Sequence, residues 1–307
     1  CYISFQGTGS LKVALGTVQF GVNYGISNKA GKTSQAEVGA ILVAAEKYGV
    51  SVIDTAALYG DSEAVLGQTL PPNSSFNIVT KTSQFAKQML DEADAQHLED
   101  TFHSSLSKLG RSSVYGLLVH RVDDLFLPGG DLLMDRLLKL KQDGLVSKVG
   151  VSVYSGSQID QLMERFKIDL IQLPINVMDQ RLLQSGHLQK LKSAGVEIHA
   201  RSTFLQGLLL MELQNVPKYF DVIRKNLESY HCFIRARGLT PIQAALGFVL
   251  GLQEIDQVIC GVNNALQLGE ICEAAQVEVD SNELAEFAIE DESIVNPALW
   301  QFDKEKK

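Results

Sequence analysis

The stretch "VSVIDTAALYGDSEAVLG", residues 50–67, decides how the chain is read. Its first half is a short apolar run of the kind that forms a buried strand. Asp54 interrupts that run, and Tyr59 follows five residues later, just before Gly60. A carboxylate that closes a buried strand and a phenol on the loop behind it need a common explanation. The rest of the sequence supplies one.

Seven further runs resemble 51–55: "KVALGT" (12–17), "FNIVTK" (76–81), "VYGLLVH" (114–120), "KVGVS" (148–152), "LIQLP" (170–174), "VEIHAR" (196–201) and "QVICG" (257–261). All are brief and rich in Val, Ile and Leu, as parallel strands covered on both faces tend to be. Helical patterns lie between them. Residues 34–49 put Val38, Ile41, Leu42 and Ala45 on one stripe, with Ser34 to cap it and Gly49 to end it. Residues 91–110 carry acids early, Lys108 late and Gly110 after, which suits the helix dipole. Segments 132–144, 156–166, 182–195, 240–251 and 263–275 follow the same scheme. Thr240, Pro241 and Gln243 spell an N-cap, a first-turn proline and a capping-box partner.

Eight strand–helix units without a Pro/Gly/Ser-rich linker predict an α/β fold, a single-domain (β/α)8 TIM barrel. A doubly wound open sheet would announce a dinucleotide site by G-x-G-x-x-G after an early strand. "GTGS" at 7–10 follows no strand. "FQG" at 5–7 matches the remnant of a protease-cleavable tag, so residues 1–10 are set apart and 11–307 are assigned to the barrel.

The totals bound the function. A net charge of −9 argues against nucleic acid and against an anionic membrane surface. No run of 18 apolar residues and no signal-peptide pattern occurs, and the four cysteines (1, 232, 260 and 272) have no metal spacing. The reading is a cytoplasmic protein with reduced thiols and no metal site.

Chemistry in a barrel sits at the C-terminal ends of the strands. Those ends offer Asp54 with Tyr59, then Lys81, His120 with Arg121, Ser152, Gln172 and Arg201. Any one of these polar residues alone has an ordinary structural role. Asp, Tyr, Lys and His in register on three consecutive strands do not. An ammonium beside a phenol is expected to lower its pKa. A carboxylate would hold the ammonium, and an imidazole would hydrogen-bond a substrate oxygen. Such a set can protonate a carbonyl oxygen while a cofactor delivers hydride to the carbon.

These residues resemble the aldo-keto reductase family. The resemblance runs from Leu11 to about Ala275 and is carried by "LGTVQFG", "IDTAALYGDSEAVLG", "VTK", "LLVH", "VGVS", "IQLPIN" and "FLQGLLL". It implies a barrel with a nicotinamide cofactor across the strand ends and reduction of an aldehyde or ketone to an alcohol. It implies Tyr59 as general acid, Lys81 and Asp54 as its supports, and His120 as the orienter of the carbonyl. Ser152 and Gln172 would hold the nicotinamide carboxamide. NADP(H) is the cofactor the family suggests, with NAD(H) as the alternative.

Three positions depart from the family. Val153 stands where an asparagine would also hold the carboxamide, and Arg201 where an aromatic ring would stack on the nicotinamide. Arg201 is therefore assigned to the cofactor or to a substrate anion. The segment after the last strand offers Gly261, Asn263, Asn264, Gln267 and Glu270 but no cation for a 2′-phosphate. Asn23, Tyr24, Leu58, Arg121 and Trp300 are the candidate substrate contacts, and Asn23, Tyr24 and Arg121 together with Arg201 suggest a polar, anionic or sugar-like carbonyl compound. Two rivals stand beside this reading: a cofactor-binding regulator with little turnover, and a Schiff-base aldolase that uses Lys81.

Overall fold

The computed structural model describes residues 11–26, 28, 31–71 and 73–300. Eight parallel strands close a barrel in sequence order. They are β1 (Val13–Gly16), β2 (Val52–Asp54), β3 (Asn77–Lys81), β4 (Val114–Val119), β5 (Val146–Ser152), β6 (Leu170–Pro174), β7 (Glu197–Arg201) and β8 (Gln257–Gly261). All eight predicted strands are present. Closure is made where β1 pairs with β8, from Val13 opposite Val258 to Gly16 opposite Gly261. Residues 1–10, including the suspected tag, and 301–307 lie outside the described residues.

The outer layer is one helix per strand: α1 (Gln35–Tyr48), α2 (Ser62–Thr69), α3 (Glu92–Leu109), α4 (Gly130–Gln142), α5 (Gly156–Arg165), α6 (His187–Ser193), α7 (Pro241–Leu250) and α8 (Ala265–Ala274). The expected caps are formed. Ser34 accepts from the Glu37 amide, and Gly49 takes a left-handed φ of 75°. Thr240 and Gln243 form their capping box behind Pro241. The strand and helix side chains between the layers make the main core. A smaller cluster of Ala14, Val52, Val79, Leu118 and Leu170 fills the barrel itself. No described helix is long and apolar enough to cross a membrane.

Three elements differ from the sequence reading. The segment 182–195 is two helices, because Gly186 at φ 76° breaks it between Gln184 and His187. A helix over Arg224–Arg237 precedes α7. Helix α2 has no apolar stripe to announce it, because polar contacts dock it. Ser62 Oγ donates to the Thr17 carbonyl at 3.0 Å, and Thr80 Oγ1 donates to Glu63 Oε1 at 2.6 Å, all of them buried. Such pairs satisfy groups that would otherwise cost free energy on burial.

Candidate active site

Strand register brings the four residues together. Gly16 lies opposite Asp54, Asp54 opposite Val79, and Lys81 opposite Leu118, so the ends of β2, β3 and β4 share one rim. The Lys81 ammonium donates to both Asp54 oxygens, at 2.7 and 2.8 Å, and to the Thr55 carbonyl at 2.9 Å. Both side chains are almost wholly buried. Burial works against the ammonium, but Asp54 and Tyr59 outweigh it and hold the Lys81 pKa above its ordinary value. Gln172 Nε2 donates to the same Asp54 oxygen at 2.7 Å.

Tyr59 lies over this pair, with Lys81 Nζ 5.0 Å from its ring centre. His120 meets Tyr59 edge-on at 5.9 Å, with an interplanar angle of 86°. The expectation of a lowered phenol pKa is corrected here. Burial pushes it up and Asp54 adds to that push, while Lys81 and Arg201 pull it down without reversing it. The phenol therefore keeps its proton at neutral pH. Burial, followed by the charge of Lys81, pushes the His120 pKa down to about 4. The imidazole is neutral and able to hydrogen-bond an oxygen.

The site opens into a cleft of about 460 Å³ that runs from the tetrad to the start of α8. Ser152, Gln172, Arg201, Gly261, Asn263, Gln267 and Glu270 line it, as does Tyr24. Asn264 does not. It caps α8 instead, accepting from the Gln267 amide at 2.9 Å. Four buried polar atoms on lining residues, Gln19 Oε1, His120 Nδ1, Thr203 Oγ1 and Asn263 Oδ1, have no hydrogen-bond partner among the described residues. Buried polar atoms are nearly always paired. A row of unpaired ones along one cleft fits a long polar ligand such as a nicotinamide dinucleotide.

Arg201 does not turn outward to a carboxylate. Its guanidinium stacks 4.2 Å from the Tyr154 ring centre and donates to the Val153 carbonyl at 3.0 Å. The Val153 side chain is fully buried in the core, so only its carbonyl serves the site. Four expected substrate contacts lie away from the cleft. The Arg121 Nε donates at 2.8 Å to Asp124, whose carboxylate is wholly buried and draws the guanidinium down. Trp300 packs on Phe220 at 5.0 Å and donates to the Ile294 carbonyl at 2.9 Å. Leu58 faces solvent at 48% exposure, and Asn23 is exposed on the loop after β1.

The sequence reading missed Gln19, Tyr154, Ser202 and Gln206, which also line the cleft. Ser202 and Gln206 have φ of 62° and 53°, and buried Leu205 between them has 46°. These are the only non-glycine residues with positive φ among those described. Such backbone strain gathers at functional sites. Nothing in the local sequence signals it except Gly207, whose φ is 95°.

The aldo/keto reductase family model matches residues 12–291. The chain belongs to that family. Aldo-keto reductase str7 of Strobilurus tenacellus is 25% identical over 270 residues, covering 80% of this chain and 78% of that one. The L-glyceraldehyde 3-phosphate reductase of Escherichia coli O157:H7 is 26% identical, covering 69% and 67%. The fold is that of an aldo-keto reductase from Bacillus halodurans, solved in its holo form. Its TM-score is 0.71 at 18% identity, with 90% of each chain covered. This aldo-keto reductase is an NAD(P)H-dependent oxidoreductase that reduces carbonyl compounds by hydride transfer.

Proposed function

We propose that Tyr59 is the proton donor of this reductase and that its substrate carries an anionic or strongly polar group read by Arg201. The observation that carries the first part is the buried Lys81–Asp54 pair beneath a phenol whose proton is retained. The nicotinamide supplies hydride when bound. Ser152 and the free carbonyl end of the Gln172 amide are suited to hold its carboxamide. His120, neutral at working pH, donates to the substrate oxygen and aligns it with the Tyr59 hydroxyl. As negative charge grows on that oxygen, the phenol proton moves to it. The Lys81 ammonium below stabilises the phenolate left behind.

The Schiff-base alternative finds no support. An aldolase lysine needs a lowered pKa, whereas Lys81 is raised and its three donors are engaged.

Arg201 supports the substrate reading. No carboxylate among the described residues pairs with it, and Tyr154 fixes the plane of its guanidinium. A planar cation held beside the reacting groups suits a carboxylate or phosphate. A relative named for a phosphorylated aldehyde agrees with this.

The test is NAD(P)H oxidation with a panel of neutral, carboxylated and phosphorylated aldehydes. Tyr59→Phe should abolish turnover while nucleotide binding survives. Arg201→Tyr should raise KM for the anionic members about tenfold and leave the neutral ones nearly unchanged, a difference near 1.4 kcal/mol. Equal effects on both groups would sink the Arg201 assignment, and turnover by Tyr59→Phe would sink that of Tyr59.

A further inference from the structure

Strand β6 ends at Pro174, and the turn that follows is built around Asn176, which is wholly buried. The Asn176 side-chain oxygen accepts from the Met178 amide at 2.9 Å and from the Asp179 amide at 3.0 Å. Its backbone amide donates to the Asp179 carbonyl at 3.2 Å. Asparagine commonly closes a turn in this way, by bonding the backbone two or three residues on. The turn is also tied down from outside. Gln180 Nε2 donates to the Val177 carbonyl at 2.7 Å and to the Leu284 carbonyl at 2.8 Å, and the Ile289 amide donates to the Met178 carbonyl at 2.8 Å. The remaining group of Asn176, its Nδ2 amide, crosses to the end of β7 and donates to the Ser202 carbonyl at 3.1 Å.

Ser202 follows Arg201, and its φ of 62° lies in the left-handed region. A serine stays there only where its surroundings hold it. Among the described residues, two donors meet its carbonyl: Asn176 Nδ2 and the Leu205 amide at 2.8 Å. Leu205 has φ 46°, so it is part of the strained turn. Asn176 is the brace from outside. Beside it, the Ile175 amide donates to the Arg201 carbonyl at 3.2 Å. Two consecutive carbonyls at the end of β7 are thus held by two consecutive residues after β6. The conformation fixed in this way puts Ser202 Oγ 3.4 Å from Arg201 Nη1, on the guanidinium that stacks on Tyr154 and donates to the Val153 carbonyl.

We propose that Asn176 is a positioning residue that aims Arg201 at the substrate's anionic group by bracing Ser202 in its left-handed conformation. The inference rests on the reading of Arg201 as the group that receives that anion. Asn176 is not among the residues lining the cleft, so it acts through Ser202. A guanidinium takes a carboxylate or phosphate by two parallel hydrogen bonds, which requires its plane to be set. Without the Nδ2 bond, Ser202 relaxes toward negative φ and its side chain leaves the guanidinium. Arg201 then samples orientations that miss the anion. Proton transfer from Tyr59 is untouched, because no member of the tetrad bonds to this turn.

The test is steady-state kinetics at saturating nucleotide with matched neutral, carboxylated and phosphorylated aldehydes. Asn176→Ser keeps a hydroxyl that can accept from the turn amides but is too short to reach Ser202. It should raise KM for the anionic members about fivefold and leave KM for the neutral members and every kcat within about twofold. Adding Ser202→Gly should bring the anionic KM most of the way back, because glycine takes a positive φ without a brace. Asn176→Asp, which keeps the acceptor and lacks the donor, should behave as Asn176→Ser does. Thermal unfolding shows that each variant is folded. Equal rises for neutral and anionic aldehydes, or no recovery with Ser202→Gly, would overturn the inference. So would failure of both Asn176 variants to fold even with Ser202→Gly, since the role would then be structural alone. Arg201→Tyr, measured beside them, separates the two claims. If it discriminates against anions and the Asn176 variants do not, only the role of Asn176 falls. If it does not discriminate, the reading of Arg201 falls and takes this inference with it.

Discussion

Lys81 and Asp54 form a two-oxygen ion pair, at 2.7 and 2.8 Å, with side chains 1% and 5% exposed. Removing one partner leaves the other as a buried charge without its counter-ion. Asp54→Ala should therefore destabilise the protein by about 3–5 kcal/mol. Replacing both at once, as Asp54→Leu with Lys81→Met, should recover much of that loss while leaving the enzyme inactive. Urea unfolding of the two single variants and the double variant measures the coupling. A double variant no more stable than Asp54→Ala would contradict a paired role.

Gly21 and Tyr59 touch through backbone. A β-carbon on Gly21 would lie 1.6 Å from the Tyr59 carbonyl oxygen, and one on Gly60 would lie 2.6 Å from the Gly21 carbonyl oxygen. Neither neighbour is a flexible side-chain tip, so the loop that carries the phenol must move. Gly21→Ala should cost roughly 1–3 kcal/mol of stability by overpacking. It should also lower kcat more than it weakens cofactor binding. Single-turnover rates and nucleotide titrations of the folded variant separate the two effects.

The His120 imidazole should titrate near pH 4, against 6.5 for an ordinary histidine, and its ring resonances followed by NMR report this directly. The unfolded chain takes up this proton as pH falls from about 6.5, while the folded chain resists it until about 4. The His120 contribution to stability is thus complete above 6.5 and declines through that window. A midpoint between 6 and 7 would show that the ring is solvated and not walled in as described.

At the opposite end of the barrel, Glu197 accepts from Tyr115 at 2.7 Å, pairs with His199 at 2.6 Å and also binds Lys148. Burial acts against its charge, but these partners outweigh it and bring the pKa down from 4.5 to about 2. The carboxylate contributes its full stability above pH 4.5 and loses it as pH falls toward 2. Glu197→Gln should lower stability at pH 7 by about 3 kcal/mol and flatten the acid limb of the unfolding curve. It should leave the catalytic pH profile in place, because this cluster lies at the strand starts and away from the cleft.

The sequence by itself determined the barrel and the gathering of Asp54, Tyr59, Lys81 and His120 at one rim of it. Short apolar strands alternating with capped helices specify the layers, because burial on both faces and helix termination are local demands met by local residues. Asp54, Lys81 and His120 could be placed on one rim from their positions at strand ends, since parallel strands in a closed barrel end together. Helix α2 was not legible, because its buried face is Ser62 and Glu63 beside a single leucine, Leu66, and not a stripe of apolar residues. Only the tertiary structure decided the partners of the long polar side chains. Arg121 went to Asp124, Arg201 to Tyr154 and Val153, Gln172 to Asp54, and Glu37 to the far end of the chain at Ala265. Arginine, glutamine and glutamate can reach many groups from one backbone position. Which group they take depends on the charges and unpaired atoms that folding brings within a few ångströms, and no local pattern in the chain records that.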